Sequence, residues 1–258
     1  MGKLGIEFVV RDAGSRGPNL VLLHCLGVDH KFWDPLIPEL SRSFTVWRSD
    51  LPGHGTARPA SGPYGIADLS EQLAAMFREF GIAKAHVAGI SLGGLIAQQF
   101  AADHPDKVDR LVLIDTTPRY TDDMRAMWVK RAATARTEGV PALVDDLLKI
   151  WFSPAAVAAN APGVDYVRRT LNACNGEGYA LACEALGAAD LRELARRITA
   201  PTLVVCGDDD IPSFLEAARW LAYNVKGARL EWIAGTRHAS VLEKPDEGAA
   251  LIAGFLRG

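Results

Sequence analysis

The chain has 258 residues, of which 49% are hydrophobic and 23% charged, and its formal net charge is −3. This length suits one large α/β domain, or one domain with an insertion. Without a basic excess, neither nucleic acid nor an anionic membrane is an expected partner. No run of about eighteen apolar residues predicts a transmembrane helix. The first ten residues lack the apolar segment of a signal peptide, so we expect a cytoplasmic protein.

The cysteines and histidines show no metal-binding pattern. Four cysteines lie at positions 25, 174, 183 and 206, and none forms a Cys-x-x-Cys pair. No cluster with the six histidines has the spacing of a zinc site. We therefore expect free thiols, and neither a metal ion nor an organic cofactor.

Seven short apolar runs predict β-strands, and helical patterns lie between most of them. The runs are Ile6–Val10, Leu20–His24, Phe44–Arg48, Ala85–Ala88, Leu111–Asp115, Leu203–Cys206 and Leu230–Ile233. Helices are predicted at Ala67–Phe80, Leu95–Ala102 and Asp246–Leu256. Strands that alternate with helices favour an α/β fold with a mostly parallel, doubly wound sheet.

One interval breaks this alternation. Between Asp115 and Thr202 lie 86 residues, although a crossover between parallel strands needs only about a dozen. Helical patterns occur there at 122–138, 141–152, 178–186 and 190–197. We therefore predict an inserted helical lid over residues 119–198, and a core domain formed by residues 1–118 and 199–258.

The stretch Gly89-Ile90-Ser91-Leu92-Gly93 joins a predicted strand to a predicted helix. It matches Gly-x-Ser-x-Gly, the nucleophile elbow, in which a strained turn holds the serine hydroxyl above the sheet. The five-residue pattern is weak by itself, and the alternative is an ordinary turn serine. The strand before it and the helix after it favour a nucleophile.

A serine hydroxyl needs a base, and the base needs an orienting acid. In this topology both follow the serine in the chain, at the ends of later strands. Asp210 follows the strand that ends at Cys206, and His238 follows the strand that ends at Ile233. Three aspartates compete with Asp210 as the acid, and five histidines compete with His238 as the base. They are Asp115, Asp208 and Asp209, and His24, His30, His54, His86 and His104.

Several stretches along nearly the whole chain resemble the α/β-hydrolases, and especially the 3-oxoadipate enol-lactonases. They are "CLGVDHKFWDPLIPEL", "GHG", "GPYGIADL", "GISLGGLIAQ", "MWVKRAATARTEG", "EGYALACEALGAADLR", "APTLVVCGDDD" and "RHASVLEKP". The resemblance implies that Ser91 is the nucleophile, Asp210 the orienting acid and His238 the general base. It also implies an oxyanion hole formed by the backbone N–H groups of Leu26 and Leu92.

The resemblance extends to residues that would contact the substrate. Trp128 and Arg131 match a Trp-x-x-Arg pattern of the enol-lactonases and share one helix face. A guanidinium there would bind a substrate carboxylate, and the indole would wall the ring. The alternative is that Arg131 faces water, as expected of Lys130 and Arg136. Cys25 stands where the family has a serine near the oxyanion hole. It is a candidate substrate contact, although a packing role is the simpler interpretation.

These observations predict a serine hydrolase that opens a lactone or ester of small-molecule size through an acyl-enzyme. The resemblance points to a 3-oxoadipate enol-lactonase acting in aromatic catabolism. A broader carboxylesterase or a carbon–carbon bond hydrolase would use the same triad. A ligand sensor built on the hydrolase fold is the alternative outside enzymes. Substrate identity and the choice between monomer and homodimer stay open.

Overall fold

A computed structural model describes residues 9–12 and 17–258, and these contain a seven-stranded β-sheet. The strands are Val9–Arg11 (β1), Asn19–Leu23 (β2), Thr45–Ser49 (β3), Ala85–Ile90 (β4), Val108–Ile114 (β5), Thr202–Gly207 (β6) and Arg229–Ile233 (β7). Their spatial order is β1-β3-β2-β4-β5-β6-β7. β1 is antiparallel to β3, and the other pairings in this sheet are parallel. This confirms the predicted α/β fold with a mostly parallel sheet.

Helices connect these strands. They are Ile37–Leu40 (α1), Ile66–Glu79 (α2), Leu92–Asp103 (α3), Asp122–Thr137 (α4), Val144–Trp151 (α5), Pro154–Ala158 (α6), Pro162–Ala173 (α7), Gly176–Ala188 (α8), Arg192–Ala195 (α9), Pro212–Asn224 (α10), Ser240–Glu243 (α11) and Pro245–Arg257 (α12). Short 3-10 helices occupy His30–Leu36 and Val140–Leu143. No helix in the described part of the chain is long and apolar enough to span a membrane.

The apolar sequence of β4 suits its position at the centre of the sheet. All six residues of this strand are buried, which is typical of a strand between two parallel neighbours. The strand pairs with β2 on one side and with β5 on the other. Carboxyl ends of parallel strands meet at one edge, so the residues after β2, β4, β5, β6 and β7 are brought together there.

Most of the predicted elements match the structure, with differences at the amino terminus, in the insertion and between β6 and β7. Residues 6–8 of the predicted strand Ile6–Val10 lie outside the described residues. The predicted helix at 141–152 is a 3-10 turn followed by α5, and the predicted helix at 190–197 contracts to α9. The pattern analysis missed α6, α7 and α10, each of which begins with a proline in its first turn.

The helices α4 to α9 lie between β5 and β6, and the chain enters and leaves this segment at one place. Arg119 and Asp190 form an isolated antiparallel bridge there. The Leu191 amide donates to the carbonyl of Pro118 at 2.8 Å. The two ends of the segment 119–190 are thus joined next to the carboxyl edge of the sheet. Its function as a lid stays a prediction.

Candidate active site

Ser91 lies at the sharp corner between β4 and α3. Its φ of 51° falls in the left-handed region that non-glycine residues rarely adopt. Its amide donates to the carbonyl of Ile114 at 2.9 Å, and its carbonyl accepts from the hydroxyl of Thr116 at 2.8 Å. Hydrogen bonds to the end of β5 therefore hold this strained corner in place, as a nucleophile elbow requires.

The two glycines of the motif are required by close backbone contacts. A Cβ at Gly89 would lie 2.2 Å from the carbonyl oxygen of Gly93. A Cβ at Gly93 would lie 2.2 Å from the carbonyl oxygen of Leu23, at the end of β2. A side chain at either position would push β4, α3 and β2 apart and move Ser91.

His238 and Asp210 meet on the loops that follow β7 and β6. Nδ1 of His238 lies 3.0 Å from Oδ2 of Asp210, and both side chains are buried. An ionised carboxylate only accepts hydrogen bonds, so Nδ1 carries the proton and Nε2 keeps its lone pair. The loops pack tightly, since a Cβ at Gly207 would lie 2.4 Å from the carbonyl oxygens of Thr236 and Arg237.

Competing effects act on the pKa of His238. Burial lowers this pKa, but the charge and the hydrogen bond of Asp210 and the charge of Asp115 outweigh it. The net pKa of His238 is raised, even though the cation of Arg131 opposes the shift. The imidazole is therefore a stronger base than a free histidine, and it becomes neutral only at a higher pH.

Asp208 and Asp209, the sequence competitors of Asp210, are exposed and brace the loop of His238. Oδ1 of Asp208 accepts from the amide of Gly235 at 2.5 Å. Oδ2 of Asp209 accepts from Nε of Arg237 at 3.0 Å. Both carboxylates thus support the turn next to the histidine, while Asp210 contacts the imidazole.

Asp115, the third competitor, is buried at the end of β5 and has a φ of 42°. Its carboxylate accepts from the amide of Gly207 at 2.9 Å, and from the amide and hydroxyl of Ser240 at 3.2 and 2.6 Å. Burial and the negative charge of Asp210 raise the pKa of Asp115 to about 7. Asp115 therefore ties the sheet to the segment two residues after His238.

One buried group has a geometry that a metal ion could use. Ligand atoms of Asp115, Cys206 and Asp210 lie within 4.8 Å of one another. Both carboxylates already accept hydrogen bonds from the protein, and burial raises the pKa of Cys206, which keeps the thiol protonated. We therefore interpret this group as a hydrogen-bonded core beneath the histidine.

The other histidines have neighbours away from Ser91. Nδ1 of His24 donates to the carbonyl of Cys25 at 2.8 Å, and its Nε2 accepts from the amide of Leu51 at 3.0 Å. These bonds hold the loop after β2 in shape. The other four lie close to polar partners: His30 to Asp50, His54 to the carbonyl of Pro52, His86 to Asp109, and His104 to Glu71.

The two predicted oxyanion donors lie at the same edge of the sheet. Leu92 is the first residue of α3, where an amide has no partner within its own helix and the helix dipole favours negative charge. Leu26 precedes Gly27, whose φ of 81° turns the loop after β2. Cys25 is 1% exposed, and burial raises the pKa of its thiol. These features describe a packed thiol; its contact with a substrate stays a prediction.

Trp128 and Arg131 lie together on α4. The Arg131 guanidinium carbon is 5.0 Å from the centre of the buried Trp128 ring. Arg131 is half-buried and forms no ion pair with any described residue. Arg136 differs, because it pairs with Glu177 and Glu184 at 2.7 and 2.5 Å. Lys130 is exposed.

An aromatic wall leads from His238 to Trp128, and sequence reasoning missed two of its members. Phe214 lies 4.3 Å from the His238 ring, and Tyr120 lies 6.3 Å from Phe214 and 5.2 Å from Trp128, centre to centre. The Trp151 ring also packs beside His238, at 6.1 Å between ring centres. Tyr120 and Phe214 belong to no motif, and only the packing of α4 and α10 reveals them.

Comparisons with known proteins agree with this geometry. The family model described as "alpha/beta hydrolase fold" matches residues 18–245. A pimeloyl-[acyl-carrier protein] methyl ester esterase of Aromatoleum aromaticum is 35% identical, over 93% of this chain and 99% of its own. The 3-oxoadipate enol-lactonase 2 of Acinetobacter baylyi is 28% identical, over 88% of this chain and 84% of its own.

Solved structures give the same result. The enol-lactonase from Burkholderia xenovorans LB400 superimposes with a TM-score of 0.93 at 35% identity, covering 97% of this chain and 96% of its own. A hydrolase from Pseudomonas aeruginosa PA01 superimposes with a TM-score of 0.91 at 31% identity, covering 97% of this chain and 94% of its own. These similarities extend over the sheet and the helical insertion alike.

Proposed function

The chain is a carboxylic-ester hydrolase of the α/β-hydrolase family, and from this membership we propose that it opens a lactone or ester through an acyl-enzyme on Ser91. The observation that carries the proposal is the buried contact of 3.0 Å between His238 Nδ1 and Asp210, at the sheet edge where the strained Ser91 corner also lies. Burial, tautomer and chain order all fit a Ser–Asp–His triad.

In the first half of the reaction, Nε2 of His238 accepts the Ser91 proton while Oγ attacks the carbonyl carbon. The amides of Leu26 and Leu92 stabilise the oxyanion that forms. Asp210 holds the imidazole in its tautomer and stabilises the imidazolium. His238 then gives the proton to the leaving oxygen, and the ester bond breaks. In a lactone the leaving oxygen stays attached to the acyl group.

In the second half, neutral His238 removes a proton from water, which attacks the acyl-enzyme. The second tetrahedral intermediate collapses, and Ser91 leaves with the proton from His238. The segment 119–198 covers this chemistry as a lid in our proposal. Trp151 and Phe214 exclude water from the imidazole.

For the substrate, we propose an enol-lactone with a carboxylate, of the 3-oxoadipate enol-lactone type found in aromatic catabolism. Arg131 supports this choice, because it is half-buried, stacks on Trp128 and forms no ion pair within the described residues. A guanidinium in this position suits a substrate carboxylate. Likeness to enol-lactonases in sequence and structure points the same way.

A second candidate is hydrolysis of a methyl ester. It is favoured by the 35% identity to a pimeloyl-[acyl-carrier protein] methyl ester esterase. The two candidates share the triad and differ in the leaving group. In the lactone the leaving group is an enol oxygen that stays attached to the acyl group, and in the ester it is methanol. Steady-state rates with 3-oxoadipate enol-lactone, a dicarboxylate monomethyl ester and 4-nitrophenyl acetate separate them. A slow rate with all three substrates would favour a ligand sensor.

Ser91→Ala tests the nucleophile. We expect the variant to keep the wild-type circular dichroism spectrum and to lose about 10⁴-fold or more in kcat with 4-nitrophenyl acetate. A burst of 4-nitrophenolate equal to the enzyme concentration, present in the wild type and absent in the variant, would identify the acyl-enzyme. Unchanged turnover by the variant would refute the assignment.

A further inference from the structure

Three buried polar groups near the catalytic edge make no hydrogen bond of ordinary length and angle to a described residue. They are the hydroxyls of Tyr120 and Tyr179 and the indole Nε1 of Trp128. The three side chains are 1%, 1% and 6% exposed. Unpaired buried donors are rare and costly in folded proteins, so three of them in one place indicate a ligand.

Tyr179 connects the helical insertion to the oxyanion loop. It lies on α8, and a Cβ at Gly27 would meet its ring at 3.0 Å, one residue after Leu26. Burial raises the pKa of Tyr179, whereas the charge of Arg131 and a loose hydrogen-bond contact with its guanidinium lower this pKa. The hydroxyl of Tyr179 is therefore close to the guanidinium of Arg131, between the insertion and the proposed oxyanion hole.

Tyr120 and Trp128 connect the same place to the nucleophile. Burial raises the pKa of Tyr120, whereas a loose hydrogen-bond contact with Ser91 and the charge of Arg131 lower it, so the Tyr120 hydroxyl lies beside the serine. The Tyr120 ring contacts Trp128 edge-on at 5.2 Å, and Trp128 stacks beneath Arg131. The three polar groups thus run from Ser91 at one end to the guanidinium of Arg131 at the other.

The electrostatics select the class of ligand. Arg131 is half-buried, and no described carboxylate pairs with it. Hydroxyl, indole N–H and guanidinium groups all donate, and the last two cannot accept. A site with a partly desolvated cation and several donors takes an anionic oxygen group, and a carboxylate fits a guanidinium with two parallel hydrogen bonds.

We propose that Tyr179 and Trp128 complete, with Arg131, an anion-binding cradle for a carboxylate at the end of the substrate remote from the scissile carbonyl. This proposal rests on the proposed function and deepens it. Arg131 supplies the charge, while Tyr179 and Trp128 determine how strongly a carboxylate is preferred to an apolar end. Tyr120 lies between the cradle and Ser91 and contacts the middle of the substrate.

Two activated esters with five-carbon acyl chains test this assignment. 4-Nitrophenyl hydrogen glutarate ends in a carboxylate, and 4-nitrophenyl pentanoate ends in a methyl group. The readout is the ratio of their kcat/KM values. We expect Tyr179→Phe and Trp128→Phe each to lower this ratio about ten-fold, because each removes one hydrogen bond to a charged group.

Tyr223→Phe is the matched control, because Tyr223 is 87% exposed on α10, and its ratio should equal that of the wild type. A second measurement needs no variant: free glutarate should inhibit pentanoate-ester hydrolysis by the wild type competitively, and more strongly than the uncharged pentanamide does. Equal ratios in wild type, Tyr179→Phe and Trp128→Phe, or equal inhibition by glutarate and pentanamide, would overturn the cradle. Pentanoate hydrolysis that persists in Ser91→Ala would instead overturn the proposed function.

Discussion

The catalytic edge of the sheet and the face of the helical insertion above it differ in how their polar groups are satisfied. At the sheet edge, Asp115 and Asp210 each accept hydrogen bonds, and backbone contacts at Gly89 and Gly207 leave no free space. On the insertion, Tyr179 and Trp128 hold donors that make no ordinary hydrogen bond to a described residue. The sheet edge is complete without substrate, and in our proposal the substrate completes the face of the insertion.

This contrast separates chemistry from selection. Groups that transfer protons need the same geometry in every turnover, and the close backbone packing of the sheet edge holds them in that geometry. Groups that choose a substrate keep their hydrogen-bonding capacity for the ligand, at a cost of about 1–3 kcal/mol for each buried unpaired donor. Substitutions in the first region should therefore change kcat for all esters, and substitutions in the second should change the preference among them.

Asp210→Asn should show the largest effect on the sheet edge after Ser91→Ala. The amide cannot stabilise an imidazolium, and its NH₂ group can turn toward His238 and favour the wrong tautomer. We expect kcat to fall about 10³-fold or more for carboxylate and neutral esters alike. Single-turnover kinetics with 4-nitrophenyl pentanoate would measure it.

Asp209→Asn is the control for that variant, because Asp209 is exposed and its carboxylate contacts Arg237. Its kcat should stay within about three-fold of the wild type. If Asp210→Asn retained most of its activity while Asp115→Asn lost it, the orienting acid would be Asp115, the alternative that the sequence left open.

The sheet edge was also the region that the sequence described best. Ser91, Asp210 and His238 each follow a short apolar run, so chain order made them candidates, and the family resemblance chose them among their competitors. The reason is physical: an elbow needs glycines two residues on either side of the serine, because a Cβ at Gly89 or Gly93 would collide with a backbone carbonyl oxygen. Such requirements leave a local pattern that can be read without coordinates.

The insertion left weaker signals. Its predicted helices α4 and α8 were found, but α6 and α7 were missed, and Tyr179 was not identified as a site residue. The position of Tyr179 depends on how α8 packs against Gly27, which is a contact between residues distant in sequence. Hydrophobic periodicity in the sequence does not reveal such a contact. Arg131, on the same insertion, could be predicted only through a family resemblance.

Gly178→Ala tests the packing between the insertion and the core, because it disturbs the contact of α8 with the loop at Gly53. A Cβ at Gly178 on α8 would lie 2.6 Å from the Cα of Gly53 and 2.8 Å from its carbonyl oxygen, in the loop before α2. We expect a loss of about 1–3 kcal/mol in unfolding free energy from overpacking. The KM for the glutarate ester should rise, because α8 carries Tyr179.

Urea unfolding and steady-state kinetics would measure both effects, with Gly254→Ala as the control. Gly254 is exposed on α12, and a Cβ there would meet nothing within 4 Å. An alanine should stabilise that helix by about 0.5–1 kcal/mol. Equal stability changes in the two variants would show that α8 and the loop at Gly53 accommodate the added methyl group at little cost in free energy.

Asp115→Asn should produce the smallest effect, a shift of the acid limb in the pH profile of kcat/KM. The charge of Asp115 helps to raise the pKa of His238, together with Asp210, while burial and Arg131 lower it. Removing that charge lowers the pKa of His238, so the neutral base persists to lower pH. We expect the acid limb to move down by about half a pH unit or less. The shift is limited because Asp115, with its pKa raised to about 7, is itself partly protonated over this range.

Ser240→Ala distinguishes the charge of Asp115 from its structural role. This variant removes the hydroxyl that donates to Asp115 at 2.6 Å and leaves the carboxylate in place. The other acidic group beside the pair is the buried thiol of Cys206, which burial keeps protonated and uncharged. Losing the Ser240 hydrogen bond lets the pKa of Asp115 rise, so only part of its negative charge is removed. Ser240→Ala should therefore lower kcat a few-fold and move the acid limb downward by less than Asp115→Asn does. A lost charge at Asp115 has to change the protonation of His238. If Asp115→Asn lowered kcat and left the acid limb of the pH profile unchanged, Asp115 would therefore act through packing alone.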